Sequence, residues 1–296
     1  KYNLTNMNSC PICTTEMKFK FVTKDYLVTG ESFDIVECEA CSIRTTTPFP
    51  DKKIIGNYYS SDDYISHDDK VSGIFDSIYG LVRTYQLNKK KKLIGKYFNK
   101  SNGKILDIGC GAGDFLQYMK ENHWNINGVD TSNKARKIAN KKLNIKVMDP
   151  KDWINNKEKY DVITCWHSLE HVHEPWVYLD KIKKSLTLDG FLIVALPNYQ
   201  STDAKIYKEF WAAYDTPRHL YHFTIKSMNK TIKPHGLNIE SIYRMNFDPF
   251  YVSMLSAKHM GKSFMSGLIN GFKSWTLSIF SKDKCSSLIF IIKKNA

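Results

Sequence analysis

No apolar run in this 296-residue chain approaches the length of a membrane span, so a spanning protein is not expected. The opening residues, with polar Asn and Thr ahead of Cys10, hold no apolar signal region, although a start at Lys1 is compatible with trimming. A cytoplasmic protein is the expectation. Arginine is scarce. Of 43 cationic residues only Arg44, Arg83, Arg136, Arg218 and Arg244 carry the forked guanidinium that suits phosphates and guanine edges. A formal net charge of +13 invites a polyanionic partner, but the lysines are spread through the chain among many Asn and Ile, which argues against a dedicated nucleic-acid surface. With 42% hydrophobic and 13% aromatic residues the chain has material for one large domain and a small appendage.

What is present is concentrated in Ile105-Leu106-Asp107-Ile108-Gly109-Cys110-Gly111-Ala112-Gly113-Asp114-Phe115-Leu116. A short apolar run breaks into alternating glycines and resumes at helical spacing, which predicts a strand, a tight turn and a helix. Glycines let backbone pass close to a bound nucleotide where a Cβ would clash, and the helix beyond them points free N–H groups at the ligand. Ile126-Asn127-Gly128-Val129-Asp130 then predicts a second strand ending in an acid, at the spacing from which a ribose diol is held. The loop has no third spaced glycine beyond Gly113 and no Gly-Lys-Ser/Thr, and Asp107 would repel a pyrophosphate. An uncharged or cationic ligand suits it better.

These residues resemble the first motif of class I S-adenosylmethionine-dependent methyltransferases, whose cofactor carries a sulfonium, an amino acid and an adenosine but no phosphate. The resemblance continues in order. Asp130 stands at the ribose position and Val147-Met148-Asp149 at the adenine-flanking segment, Tyr160 to Trp166 at the fourth strand and Gly190 to Asn198 at the fifth. It implies an α/β, Rossmann-like sheet, parallel except for one antiparallel C-terminal strand placed between the fifth and sixth. The sixth is expected at 236–243 and the last at 286–293. Asp107, Gly109, Gly111, Gly113, Asp130, Met148 and Asp149 are the implied cofactor-binding residues.

Cys10-Pro11-Ile12-Cys13 and Cys38-Glu39-Ala40-Cys41 are paired Cys-x-x-Cys turns with short strand-like runs between them, the arithmetic of a zinc ribbon. A closed S4 site leaves no position for chemistry, so zinc on Cys10, Cys13, Cys38 and Cys41 would be structural. The alternative is unrelated reduced cysteines. The expected division is a ribbon at 1–47, two or three helices at 48–100 acting as connector or lid, and a core at 101–296 with a helical insertion at about 248–285. Asn88 to Lys92 reads as a solvated helix face. The insertion's apolar residues form no clean stripe in the sequence, which leaves packing on the substrate side and peripheral membrane contact both open.

Methyl transfer requires alignment, exclusion of water and, for a hydroxyl or amine, a base; His has the suitable range. His167-Ser168-Leu169-Glu170-His171 matches the H-x-x-E-H pattern of one zinc-protease group, but it starts directly after a predicted strand instead of inside a helix. Leu169-Glu170-His171-Val172 is similar to a stretch that small-molecule methyltransferases, the quinone-biosynthesis group among them, carry after the fourth strand. That implies a place for His171 beside the transferable methyl; bonding to backbone to fix the loop is the alternative. Trp211-Ala212-Ala213-Tyr214-Asp215-Thr216-Pro217-Arg218-His219-Leu220 resembles a signature of bacterial methyltransferases tied to surface glycans and secondary metabolism. From it, Arg218 is expected to grip an acidic acceptor and His219 to take the proton, with His167 as the other candidate base and Trp211 and Tyr214 as pocket walls. The competing reading is a rigid loop in which Arg218 pairs with Asp215.

No Asn-Pro-Pro-Tyr follows the fourth strand, and no Pro-Cys nucleophile appears, as nucleic-acid amino and carbon methylation would need. The expectation is a methyltransferase acting on a small-molecule, glycan or lipid precursor, most simply at oxygen. A zinc-ribbon RNA base methyltransferase and a non-catalytic binding module on the same fold are the alternatives; the oligomeric state is open.

Overall fold

Residues 9–59, 74–100 and 102–295 are described by the computed structural model. Alternating apolar residues near the start form an antiparallel meander of β1 (Met17–Lys24), β2 (Ser32–Cys38) and β3 (Arg44–Thr47). Phe33 and Ile35 bury on the same face of β2, the period of two that a half-covered strand demands. Among the described residues the connector has a 3-10 turn at Ile55–Tyr59 and one long helix, α1 (Ile74–Gly95); the rest of the expected two or three helices would fall in residues 60–73, which lie outside those described. Leu93 and Ile94 tie the end of α1 to the apolar cluster behind the glycine loop.

The main sheet is built from β4 (Lys104–Ile108), β5 (Asn125–Val129), β6 (Tyr160–Trp166), β7 (Leu186–Pro197), β9 (Leu237–Arg244) and β10 (Ser287–Lys294), in the order β5-β4-β6-β7-β10-β9. Pairings among β4 to β7 are parallel, and β10 runs antiparallel between β7 and β9, as the resemblance implies. Parallel neighbours need crossovers. These are α2 (Asp114–Glu121), then α3 (Asn133–Leu143) with α4 (Pro150–Asn155), then α5 (Pro175–Ser185). Val129 adds one parallel bridge to Met148 on the outer side of β5. The inner strands are nearly continuous apolar runs because helices cover both faces.

After β7 come α6 (Thr202–Tyr207), β8 (Tyr221–His222) and α7 (Ile225–Ile232). The short β8 does not join the main sheet. It pairs with β3, Arg44 opposite His222 and Thr45 opposite Tyr221, so the N-terminal sheet takes its fourth strand from the core. A division at residue 47 therefore cuts no gap in the hydrogen bonding.

The insertion is a pair of helices, α8 (Asp248–His259) and α9 (Phe264–Phe280). In α9 it is Gly267, Gly271, Ser274 and Ser278 that are buried, and the large apolar residues align on the outer face. The apparent lack of a stripe is corrected by this inversion: the order lies in where the small residues point.

Candidate active site

The glycine loop follows β4. Gly109, Gly111 and Gly113 have φ of 77°, 54° and 83°, a left-handed region that favours glycine. A Cβ on Gly109 would lie 2.5 Å from Ser168 Cβ, whereas one on Gly111 would enter open space beside the loop. Asp130, at the end of β5, accepts from Gly111 N–H through Oδ2 and from Ser132 N–H through Oδ1, both at 2.8 Å. It fastens the loop and keeps lone pairs for a ligand. Met148 N–H bonds Gly128 O at 2.9 Å, and Asp149 caps α4 while lying 3.1 Å from Arg136 Nη1. The expected cofactor residues thus converge at the carboxyl ends of β4 and β5.

Asp107 is buried beneath this loop and accepts from Thr164 Oγ1 at 2.6 Å. Burial outweighs that bond and the nearby Lys90 charge, and pushes its carboxyl up to about 7. Lys90 itself is not a plain solvated residue: its ammonium stands 4.3 Å from the Trp166 ring centre and 5.6 Å from that of Phe115, and burial lowers its pKa. The charge run concealed it, since a stretch of lysines looks alike from the sequence.

Beyond β6, the His167 to His171 segment forms a 3-10 turn at Leu169–His171, not the helix that a zinc protease would need. His167 Nδ1 lies 3.4 Å from Glu170 Oε1, and Nε2 lies 3.5 Å from Asp248 Oδ2 of α8. Burial opposes its charge, but Asp248 and Glu170 outweigh burial and push it up to about 9. His167 is therefore a cation at neutral pH. His171 Nδ1 sits 2.9 Å from Tyr59 Oη and 3.0 Å from the Arg218 carbonyl, which can only accept, so the proton is assigned to Nδ1. Burial and the neighbouring His219 lower His171 to about 4.

His219 Nδ1 donates to Ala213 O at 2.9 Å, which assigns the lone pair of the neutral ring to Nε2. Nε2 lies 4.0 Å from Glu170 Oε1 and 3.9 Å from Asp215 Oδ2. Glu170 is wholly buried and, among the described residues, neither of its oxygens accepts a hydrogen bond of good geometry, although His167 and the other imidazoles pull its pKa below the usual carboxylate range against the cost of burial. Glu170, His171 and His219 each bring a ligand atom within 4.8 Å of the others, so they could hold a cation.

Arg218 is placed otherwise than expected. Its guanidinium is 1% exposed and donates to Asp215 Oδ1 (2.7 and 2.9 Å), to Asp25 Oδ1 (2.9 Å) and to Tyr58 O (2.9 Å). Two carboxylates hold this group inside the protein, so its fork is already engaged. Trp211 and Tyr214 are likewise almost wholly buried, although together with Asp215, Arg218 and His259 they line a small cavity. Trp211 Nε1 donates to Asp203 at 2.7 Å, Tyr214 Oη accepts from Arg44 Nη1 at 2.5 Å, and both rings pack in a cluster that contains Ile35 of β2. Thr46 closes the seam by donating to His219 O at 2.7 Å. The whole 211–222 segment is the socket of the N-terminal module, and of its expected site residues only His219 joins the cluster of imidazoles.

The four N-terminal cysteines meet. Cys10 Sγ lies 3.4 Å from Cys41 Sγ and Cys13 Sγ 3.4 Å from Cys38 Sγ, with all four sulfurs within 4.8 Å of one another. Tetrahedral zinc–thiolate bonds of about 2.3 Å set sulfurs about 3.8 Å apart, so this cluster fits such an ion. Thr14 and Ser42, at φ 60° and 59°, close equivalent turns by donating N–H to Cys10 O and Cys38 O.

A parallel sheet reversed at its last strand, with a glycine loop and an acid at the ends of its first two strands, defines the class I S-adenosylmethionine-dependent methyltransferase fold. The family profile described as a methyltransferase domain matches residues 81–242, more than half of the chain, and the chain belongs to that family. It is 31% identical over 115 residues to the ubiquinone biosynthesis O-methyltransferase of Actinobacillus pleuropneumoniae serotype 7, a match covering 33% of this chain and 49% of that protein. To the same enzyme of Nitrosospira multiformis it is 24% identical over 187 residues, covering 57% of this chain and 73% of the relative. The chain thus spans about half the length of the first of these relatives. Magnesium protoporphyrin IX methyltransferase from Synechocystis PCC 6803, solved with bound SAH, shares the fold at a TM-score of 0.54 and 15% identity, over 83% of this chain and 100% of that one.

Proposed function

We propose that this chain transfers the methyl group of S-adenosylmethionine to an oxygen of a small-molecule or glycan-precursor acceptor, with His219 as the base. The observation that carries the choice of base is the hydrogen bond from His219 Nδ1 to Ala213 O, which turns the Nε2 lone pair toward Glu170 and Asp215. Relatives named ubiquinone biosynthesis O-methyltransferases support oxygen as the acceptor atom.

The residues present fit the cofactor: Gly111 leaves room where a side chain would intrude, and Asp107 and Asp130 offer carboxylates at the ends of adjacent strands. Asp130 would hold the ribose, Met148 and Asp149 would flank adenine, and Asp107 would face the ammonium of the amino-acid end. Bound there, the cofactor supplies a methyl group on a good leaving group. Little covalent help is then needed. His219 accepts the acceptor's proton at Nε2, and the imidazolium so formed is stabilised by Glu170 and Asp215 at about 4 Å. His167, already protonated, is a donor and not a base. A structural zinc ion on Cys10, Cys13, Cys38 and Cys41 would hold the N-terminal sheet that clamps the His219 loop.

Glu170 favours a second reading, in which a divalent cation on Glu170, His171 and His219 acidifies the acceptor hydroxyl in place of the base. One experiment tests both. Transfer of labelled methyl to a panel of phenols and catechols should occur, should be restored after EDTA by zinc alone, and should fall by about two to four decades in His219→Gln with unchanged affinity for S-adenosylhomocysteine. Loss of transfer to EDTA with recovery on added magnesium would favour the cation, and wild-type turnover in His219→Gln would remove both readings.

A further inference from the structure

Helix α9 is built the reverse of an ordinary surface helix. Its buried face is Gly267, Gly271, Ser274 and Ser278, while Phe264, Met265, Ile269, Phe272 and Phe280 stand out at 64, 61, 62, 58 and 82% exposure, with Ile279 beside them at 49%. At about 100° per residue these side chains fall on one half of the helix, centred near Phe272. The helix cannot simply roll to bury them. A Cβ on Gly267 would come within 2.6 Å of Met254 Cα, and one on Gly271 within 2.9 Å of Phe250 Cα, so α9 lies too close to α8 for anything larger to face inward. An exposed apolar face of this extent marks a docking surface.

The charges around it select the occupant. Lys273 of α9 is exposed at the margin of the apolar face, and Lys258 at the end of α8, Lys262 just before α9 and Lys282 just after it are exposed near the two ends of the helix. The acids of this region are engaged: Asp248 faces His167, and Asp283 accepts from Ser281. A second copy docked through a two-fold axis would set these lysines against one another. A bilayer with anionic headgroups matches both features, because its acyl boundary takes the apolar side chains and its headgroups take the lysines. No helix of the described residues is long and apolar enough to cross a membrane, so α9 would lie in the plane of the surface.

We propose that the outer face of α9, with the lysines around it, docks this protein on an anionic membrane surface. The docked face is one helix from the candidate active site, since α8 begins at Asp248, 3.5 Å from His167 Nε2.

Flotation of the full chain with vesicles tests this. The chain should float with vesicles of equal phosphatidylglycerol and phosphatidylcholine and stay behind with phosphatidylcholine alone. Ile269→Asn with Phe272→Ser should reduce the floated fraction by about tenfold or more, and Lys258→Glu with Lys262→Glu and Lys273→Glu should do likewise. These side chains are exposed, and an unchanged affinity for S-adenosylhomocysteine confirms that each variant is folded. Three results would overturn the proposal: no flotation of the wild-type chain, flotation equal in the apolar double variant, or a dimer in sedimentation velocity that the same double variant abolishes.

Discussion

Asp107 is a buried carboxyl whose titration tests the proposed cofactor site. Raised to about 7 by burial, it is half protonated near neutral pH, and a cation placed against it would draw it into the ionised form. Because the ionised fraction grows with pH, affinity for S-adenosylhomocysteine, whose ammonium would be that cation, should climb between about pH 6 and 8 and then level off. Calorimetry across that range checks it, and a flat profile would detach Asp107 from the ligand. Asp130→Ala should weaken the same ligand by about 1.5–3 kcal/mol, the usual worth of hydrogen bonds to a charged group. His167 gives the opposite sign. Its raised pKa means that pairing with Asp248 and Glu170 stabilises the fold fully below about pH 6.5 and that this contribution is lost as pH rises through about 9. The Tm difference between wild type and His167→Gln should shrink over that interval. At this scale the glycines, Asp107 and Asp130 were legible because their spacing is local. Lys90, Glu170 and Asp248 were not, since each draws its role from a neighbour far along the chain.

Among the elements, the 211–222 segment most changes meaning between sequence and structure. Its aromatic, acidic and basic residues look like a substrate pocket, yet β8 pairs with β3 and Arg218 joins Asp25 to Asp215 across the seam. Sequence alone offered Asp215 as a partner for Arg218, but Asp25 lies in a turn that only the fold brings there. Removing a buried partner leaves charges unpaired, so Arg218→Leu should cost about 3–5 kcal/mol, read as a lowered denaturant midpoint, and Arg218→Lys less. On the proposed reading, the N-terminal sheet would support catalysis from behind, since β3 pairs with β8 and Thr46 bonds the His219 carbonyl. If the four cysteines hold a structural zinc, Cys38→Ser should lose it and unfasten the His219 loop, lowering methyl transfer sharply, while affinity for S-adenosylhomocysteine, proposed to bind at β4 and β5, stays within about twofold. Equal losses of both would mean that the ribbon also shapes the cofactor loop. The α8 and α9 pair was legible as helical but not in its orientation, because an apolar count does not reveal that the small residues face inward.

For the whole molecule, the alternation of strand and helix from Lys104 to Asn198, with the last strand returning at the end, made the sheet and its order legible. What remained open was the partner, because a net charge of +13 serves a polyanion and a membrane equally. The structure adds weight on one side. Arg44 pairs with Glu37 and Tyr214, Arg136 caps the Asp130 turn, and Arg218 is buried, so these guanidinium forks are engaged within the fold. A chain that recognised RNA would have to do so mainly with lysines, beside Arg83 and Arg244, each releasing counterions from the backbone it neutralises. Binding through six to ten such contacts loses about three to five decades of affinity between low and moderate salt. Methyl transfer to a small phenolic acceptor, whose binding releases few or no counterions, should keep its KM within about threefold over the same range. Measuring KM for the best acceptor at several salt concentrations therefore separates the two substrate classes. A steep rise with an RNA acceptor, together with no transfer to any small hydroxyl compound, would move this protein to the RNA base methyltransferases in spite of where its arginines lie.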